Sequence, residues 1–431
     1  MNLEKFGYRD VINALRFDSI RGMLTVPGLI GLAGLALALI ILSIDGFEFI
    51  SPYSFIGVNL QISPETARTL ISTIAGASLT TLSLVYSITL LVFTFASGTI
   101  GPRLLQRFTS DRINQVTAGI LGATFIYSVI VLHRIADDFV PVISISIIML
   151  MAVVSVVLLV IFVHAVARRV TVDEEVALIS EQLNDELDRL VIKEEQNARR
   201  ARGTRPAGVV TEIKVDRHGY IDQFMEDELL KIARKHDLFI EFSVRPGSFL
   251  ISGLTLAEVT GKIDDEIAEK IRNQVIISAT RRPQGDVEFS LNLLVEIGLR
   301  ALSPGINDTF TAIACVDRLS SALSAVVIHG LRDPTLHDEE GTPRLYLGDF
   351  NSEQLVDIGF NPLRRAARGN VLMASSIARA LGRLLELAGE ETRPVIEKHL
   401  KLLERETELS DVLDVDKNYV RSSFDDLRDA A

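Results

Sequence analysis

Hydroxyl side chains recur at steps of three and four between residues 71 and 97, and they are the residues with the clearest functional potential. This spacing places them on one side of a helix. A small, polar helix face can line a water-filled lumen, and it can equally allow two helices to approach closely. We call this face the hydroxyl stripe, and it comprises Thr73, Gly76, Thr80, Ser83, Ser87, Leu90, Thr94 and Ser97.

The stripe leads to two functional hypotheses. In the first, several subunits surround an axis, because one four-helix subunit is too narrow for a polar lumen. Leu90 then forms a ring that gates by dewetting, and Arg103 favours anions at the cytoplasmic mouth. The pore-lining residues of this passive ion channel are Thr73, Thr80, Ser83, Ser87, Leu90, Thr94 and Arg103. In the second, the stripe packs helices of a membrane-anchored cytoplasmic ligand-binding sensor or scaffold that has no pore.

A helical hairpin with a short connection is predicted over residues 286–328. Pro304 ends its first helix, Gly305 gives the turn a permissive backbone, and Asn307 or Asp308 can cap the second helix. Exposed amides at the start of that helix, with Arg281, Arg282 or Arg300 nearby, would bind an anion. Capping alone also explains each residue type in the turn. The candidate ligand-binding residues are Arg300, Ser303, Asn307 and Asp308.

Three motifs resemble those of one known family. Residues Ala301-Leu302-Ser303-Pro304-Gly305-Ile306-Asn307-Asp308 resemble the signature of the uncharacterised bacterial predicted membrane proteins known as domain of unknown function 2254. Gly101-Pro102-Arg103-Leu104-Leu105 and Arg245-Pro246-Gly247-Ser248-Phe249 resemble further motifs of that family. The resemblance covers nearly the whole chain and implies a bacterial membrane protein without assigning an activity. The chain departs from the family at Thr309, where the family tends to have proline.

The chain shows no recognisable enzyme motif. It lacks a phosphate-binding lysine loop, a dinucleotide-binding glycine pattern, a zinc-protease motif and a nucleophile elbow. Its one cysteine excludes a cysteine-cluster metal site, and its seven histidines are scattered. A net charge of -12 argues against a nucleic-acid partner. We therefore expect no catalysis, no cofactor and no metal, and the expected partners are the lipid bilayer, further copies of the chain, and a small ion or anionic ligand.

Four long apolar segments predict transmembrane helices, since each reaches the roughly 20 residues that a helix needs to cross a bilayer. They lie at about residues 24–44, 71–98, 113–132 and 139–165. Arginine and lysine gather before the first span, between the second and third, and after the fourth. Because positive residues mark the cytoplasmic side of a membrane protein, both termini are expected in the cytoplasm. The membrane is expected to be the bacterial inner membrane.

The predicted fold is mainly α, with a four-helix transmembrane domain, a cytoplasmic α+β subdomain and a helical C-terminal region. The transmembrane domain takes residues 1–169, and one long connecting helix takes residues 170–202. This helix contacts either its own domain or the same helix of another subunit. The α+β subdomain takes residues 203–262, with a hairpin around Arg245-Pro246-Gly247. Residues 263–431 form the helical region.

Overall fold

The computed structural model describes residues 18–45, 63–99, 112–137, 139–169, 172–191, 206–281, 285–348 and 350–428. The chain divides into two compact units, residues 1–172 and residues 173–431. The protein is mainly helical, and a smaller β-sheet region lies in the second unit.

The first unit contains the four predicted apolar segments as helices. They begin and end close to the predicted limits, although the second begins seven residues earlier, at Pro64, and the fourth continues to Arg169. The helices are α1 (Asp18–Asp45), α2 (Pro64–Thr99), α3 (Arg112–Arg134) and α4 (Val142–Arg169).

Helix α3 is the centre of the first unit and packs against the other three helices. Small residues bring α1 and α3 together: a Cβ atom on Gly34 would lie 2.8 Å from the Cβ of Ala123, and one on Gly119 would lie 2.7 Å from Ile30. Both distances are shorter than packed carbon atoms allow. Gly34 in the first apolar segment therefore allows α1 and α3 to pack closely. Gly28 in the same segment has open space beside it.

Five described helices are long and apolar enough to cross a membrane by length and composition. Four are α1–α4, and the fifth, α9 (Thr309–His329), belongs to the second unit. Half of its most apolar window is buried within the protein. Burial does not separate it from α3, whose most apolar window is also half buried, and α9 differs from the other four by belonging to the second unit.

The second unit begins with helix α5 (Val172–Leu187). The sequence predicts one helix over residues 170–202, whereas α5 ends at Leu187 and is followed by a turn. After this turn the chain is extended, because Val191 forms an isolated β-bridge with Leu331. The stripe of Val176, Ile179 and Leu183 is buried inside the second unit, as the intramolecular alternative requires.

Two sheets follow. The five-stranded sheet has the order β1-β5-β3-β8-β7, in which only β3 and β8 pair in parallel, and the three-stranded antiparallel sheet has the order β4-β2-β6. The strands are β1 (Val210–Lys214), β2 (Gly219–Phe224), β3 (Phe239–Phe242), β4 (Phe249–Leu250), β5 (Thr255–Thr260), β6 (Val275–Ser278), β7 (Thr335–His337) and β8 (Pro343–Tyr346).

The sheets differ from the prediction in two ways. Strands β3 and β4 belong to different sheets, so the predicted hairpin around Pro246 is wrong and this turn carries the chain from one sheet to the other. The β region also extends beyond residue 262, since β6 completes the small sheet and β8 pairs with β3 from more than 100 residues away. One hydrophobic core, including Phe224, Phe242 and Leu345, joins strands of both sheets.

Helices make up the rest of the second unit. Short helices α6 (Glu226–Lys235) and α7 (Asp265–Asn273) pack on the sheets, where Leu229 and Ile271 enter the shared core. Helix α9 lies against α8, α10 and α11, and its Cys315 is fully buried. The remaining helices are α8 (Val287–Ala301), α10 (Ser352–Ala366), α11 (Val371–Leu387), α12 (Arg393–Glu408) and α13 (Asp414–Arg428).

Candidate functional site

The turn between β3 and β4 is a four-residue β-turn from Arg245 to Ser248. The Ser248 amide donates to the Arg245 carbonyl at 3.0 Å, Pro246 occupies the second position, and Gly247 has a φ of +84°. Proline followed by a residue with positive φ is the pattern of a type II turn. The Gly247 amide donates to the Ile221 carbonyl at 2.8 Å, which fastens the turn to β2.

A buried ion pair lies directly against this turn. Arg281 donates from Nε to Asp286 Oδ2 at 2.5 Å and from Nη2 to Asp286 Oδ1 at 2.9 Å. The side chain of Asp286 is only 2% exposed, and it also caps α8 by accepting from the Phe289 amide at 3.0 Å. A Cβ on Gly247 would overlap Asp286 and lie 2.7 Å from Arg281 Nη2. Glycine is therefore required here by both backbone conformation and space.

Arg245 is held in place from two sides. Its Nη2 donates to Glu288 Oε2 at 3.2 Å, and the same carboxylate oxygen lies 3.4 Å from Arg281 Nη2. The guanidinium carbon lies 3.9 Å from the centre of the Phe350 ring, which is cation–π geometry. The arginine is thus fixed by groups from a helix and from the segment after β8.

Beside Arg245 lies a cavity of about 530 Å³, which falls in the range of small-molecule sites. Six separate stretches of the second unit form its wall, which is part apolar and part charged. We call it the Arg245 cavity, and its wall comprises Glu186, Arg189, Leu190, Asp222, Gln223, Phe224, Glu226, Arg245, Pro246, Gly285, Val287, Arg332, Asp333, Pro334, Thr335, Leu336, Leu347, Gly348 and Phe350.

Polar atoms on this wall are left without partners among the described residues. Glu186 is 8% exposed, and its Oε1 accepts from Gln182 at 2.8 Å. Its Oε2 makes no hydrogen bond of good geometry within the described part of the chain, although the Ser290 hydroxyl behind it lies near enough to lower the pKa of the carboxyl. Arg245 Nε also has no hydrogen bond of good geometry to the described residues. Because a buried polar atom normally has a partner, these atoms mark a place prepared for another molecule or for water.

Burial controls the charge of Glu186. Desolvation raises the pKa of its carboxyl above the usual value, and the nearby Asp286 raises it further, although the side chains of Gln182 and Ser290 and the charge of Arg189 act in the opposite direction. A carboxyl in this position takes up a proton more readily than one in water, and a cationic ligand group beside it would restore its ionised form.

The predicted turn site at Ser303–Asp308 lies on the surface and satisfies its own polar groups. Asp308 caps α9, accepting from the Thr311 amide at 3.1 Å and from the Thr311 hydroxyl at 2.6 Å, while the Ser303 hydroxyl donates to the Arg300 carbonyl. Asn307 is exposed and has a φ of +52°. Glu296 and Arg300, four residues apart on α8, form an ion pair at 3.8 Å. Capping of α9 explains the contacts of Asp308 without a ligand.

The arginines expected beside that turn are elsewhere. Arg281 precedes α8, whereas the turn follows it, so the whole 15-residue helix separates them by about 22 Å. Arg281 pairs with Asp286 instead. Arg282 lies outside the described residues. Of the predicted cations, only Arg300 remains near the turn.

The hydroxyl stripe faces outward from the first unit. Thr73, Gly76, Thr80, Ser83, Ser87, Leu90 and Thr94 are all exposed, so no described helix of this unit packs over the stripe. Helix α2 uses its opposite face for packing, through residues such as Ile71, Ala75 and Val85. The interpretation that the stripe packs helices within one subunit is therefore wrong for the described residues. The side chain of Ser97 and all of Arg103 lie outside them.

The stripe hydroxyls donate to their own helix. Those of Thr73, Thr80, Ser83, Ser87 and Thr94 each bond the carbonyl four residues earlier, at 2.8–3.1 Å. Leu91 is 69% exposed and lies about three helical turns after Thr80 on the same face, so Leu90 is not the only bulky side chain there. The stripe is thus less polar than its sequence indicates.

Most of the cavity has no signal in the sequence. The Arg245 turn is recognisable only as a motif, and Glu186, Arg189 and Arg332 give no local signal because they come from distant segments. The acidic pair Asp286 and Glu288, two positions apart at a helix start and close to Arg281, is a signal that can be recognised without a structure.

Comparisons with known proteins give one family and several relatives. The family described as "Predicted membrane protein (DUF2254)" matches residues 21–383. Uncharacterized proteins of Mycobacterium bovis and of Mycobacterium tuberculosis are each 26% identical to this chain, over 78% of this chain and 67% of theirs. No solved structure matches.

Proposed function

Because the chain belongs to the family of predicted membrane proteins known as domain of unknown function 2254, we propose that it is a multi-pass membrane protein that binds a small polar ligand in the Arg245 cavity. Helices α1–α4 form the four spans, and the positive residues beside them put both termini and the second unit in the cytoplasm. The membrane is the inner membrane of a bacterium. No catalytic step is part of the proposal.

The unpaired polar atoms of the cavity support this function above all. A cavity of this size is a normal feature of binding sites, but buried groups without partners are costly unless something satisfies them. Glu186 Oε2 and Arg245 Nε are such groups, and both lie on the cavity wall. The protein is accordingly an anchored sensor, in which ligand binding changes the second unit.

The ligand is detectable through the single cysteine. Cys315 is fully buried in the second unit, and burial raises the pKa of its thiol to about 12, so a thiol-reactive fluorophore reports unfolding of this unit. The full chain in detergent is heated with a panel of amino acids, carboxylates, phosphate esters and polyamines. At least one compound is expected to raise the melting temperature, because ligands that bind only the folded state stabilise it.

A steric variant locates the binding site. Leu336→Trp places a large ring on the cavity wall and should abolish the shift in melting temperature, whereas Leu372→Trp, on an exposed position of α11 away from the cavity, should retain it. An unchanged shift in Leu336→Trp would place the ligand elsewhere. A panel in which no compound produces a shift would remove the support for a binding function.

We keep a second candidate, a homo-oligomeric passive channel lined by α2, because one observation favours it. The hydroxyl stripe is exposed on a single subunit, where it is available to face a lumen between copies. In this arrangement Leu90 is the constriction and Arg103 lies at the cytoplasmic mouth.

Leak currents in liposomes test the channel. Leu90→Ser should increase the conductance of the reconstituted protein, because a polar ring no longer dewets. Leu150→Ser is the matched control, since Leu150 is 63% exposed on α4 and Leu90 is 59% exposed on α2. Equal conductance of the two variants, in protein that still assembles, would exclude this role for Leu90.

A further inference from the structure

We propose that the ligand of the Arg245 cavity is a zwitterion, in which a protonated amine faces Glu186 and a carboxylate or similar anionic group faces the arginines. This inference rests on the proposed binding function and specifies its ligand class. It follows from which polar groups on the wall already have partners and which do not.

Glu186 specifies the amine. Its carboxyl is more than nine-tenths buried on the cavity wall, and one of its oxygens has no hydrogen bond among the described residues. The group that best satisfies such an oxygen is a cationic donor, because charge-assisted hydrogen bonds are about twice as strong as neutral ones. A primary ammonium group offers three such donors.

Two arginines on the cavity wall specify the anionic group. The Arg332 amide donates to the Leu190 carbonyl at 2.8 Å, so Arg189 and Arg332 extend from two backbone segments that are hydrogen-bonded to each other. Both side chains are exposed, and neither guanidinium forms an ion pair within 4.0 Å to any carboxylate in the described part of the chain. Planar guanidinium groups match the geometry of carboxylates and phosphates.

Arg245 adds a third cation to the same cavity. Its Nη2 is engaged by Glu288, but its buried Nε has no hydrogen bond among the described residues. The anion therefore meets donors from three different segments, which is how binding sites fix the orientation of a ligand.

Ligands with a single type of charge fit the wall less well. A polyanion would lie against Glu186, Asp222 and Glu226, and a polyamine would lie against the arginines. Desolvation raises the pKa of Glu226, and the charge of the nearby Arg332 opposes this rise, so the two signs of charge are neighbours on this wall. Complementary charge on the ligand must likewise include both signs.

Amino acids with terminal amines test this inference. β-Alanine, γ-aminobutyrate and ε-aminocaproate place an amine and a carboxylate at increasing separation, and carboxylates and amines of the same chain lengths carry one charge each. Binding to the full chain in nanodiscs is measured by calorimetry and by the Cys315 unfolding assay. At least one amino acid should bind roughly tenfold more tightly than both of its single-charge counterparts.

Substitutions of an acidic and of a basic wall residue assign the contacts. Glu186→Gln and Arg332→Gln should each weaken the preferred amino acid by roughly tenfold or more, because each removes one charged contact. Glu181→Gln, exposed on the same helix as Glu186, and Arg318→Gln, exposed on α9, should leave the affinity unchanged.

The outcomes distinguish this inference from the function on which it rests. Equal binding of a carboxylate and its amino acid, or no binding of any member of the three series, would overturn the zwitterion. The binding function itself fails only when the broad panel also gives no shift in melting temperature. A preference for one amino acid that Glu186→Gln and Arg332→Gln both abolish supports the zwitterion.

Discussion

Two turns of the second unit have the same local sequence pattern and very different surroundings. Arg245-Pro246-Gly247-Ser248 and Ser303-Pro304-Gly305-Ile306 each place proline second and glycine third, and each closes with an amide-to-carbonyl hydrogen bond of 3.0 Å. The first turn lies against a buried ion pair and a cavity, and the second lies in solvent. Local sequence therefore specifies the turn, whereas distant segments decide whether it contributes to a site.

The glycines should show the largest contrast. Gly247→Ala introduces a Cβ in a left-handed conformation, which costs about 1 to 2 kcal/mol, and pushes it into Asp286 and Arg281, which costs about 1 to 3 kcal/mol more. Gly305→Ala meets open space and should change stability by no more than about 0.5 kcal/mol. The free energy of unfolding of both variants is measured with the Cys315 fluorophore assay.

The result also tests the turn geometry. Equal stability of the two variants would mean that the Gly247 turn can move away from Asp286 at little cost. The Arg245 cavity would then be poorly fixed, and the contrast between the two turns would be lost.

The next largest difference in stability is expected between variants of the arginines beside the two turns, Arg281 and Arg300. Arg281→Ala leaves Asp286 buried without its cationic partner and should cost about 3 kcal/mol. Arg300→Ala breaks a pair whose side chains are 28% and 29% exposed, so a cost of about 0.5 kcal/mol is expected. Chemical denaturation of both variants gives the comparison, and similar losses would contradict the buried character of the Asp286 pair.

The turn at Ser303–Asp308 was largely predictable from sequence, because its structure is local. Proline, glycine and a capping aspartate act within a few residues, and the Asp308 cap on α9 is confirmed. The apolar helices of the first unit are equally local, since their length and composition suffice. The prediction of one continuous helix over residues 170–202 was wrong. The apolar period of α5 continues in the sequence past Leu187, but the helix ends there and Val191 pairs with Leu331.

The cavity could not be predicted because its wall is assembled by long-range pairing. Strand β8 reaches β3 from more than 100 residues away, and Arg332 enters through the bridge between Val191 and Leu331. No sequence window contains these partners together. The hydroxyl stripe, in contrast, is visible in the sequence as a helical period. The sequence does not show which way the stripe faces, because that depends on which face of α2 packs against α3.

The smallest contrast concerns pH and has opposite signs in the two regions. Hydrogen bonds from Thr311 hold the pKa of Asp308 below its usual value of 3.8, so this carboxylate stabilises the folded chain above that pH and the benefit is lost as the pH falls through the lowered pKa. Asp308→Asn keeps a capping oxygen but removes the charge, so it should lower stability at neutral pH by about 0.3 to 1 kcal/mol and much less in acid.

Glu186 should behave in the reverse way, because desolvation raises the pKa of its carboxyl above the usual 4.5. The folded state binds the proton more tightly than the unfolded state. The free energy of unfolding of the chain therefore decreases as the pH rises from 4.5 through the raised pKa of Glu186. Glu186→Gln should thus increase the melting temperature at neutral pH without ligand and have little effect in acid. Melting curves of both variants between pH 3 and 8 measure the two slopes. If Glu186→Gln instead lowered stability at neutral pH, Glu186 would be a structural group, whereas the expected gain indicates a carboxylate that is retained at a cost for the ligand that binds beside it.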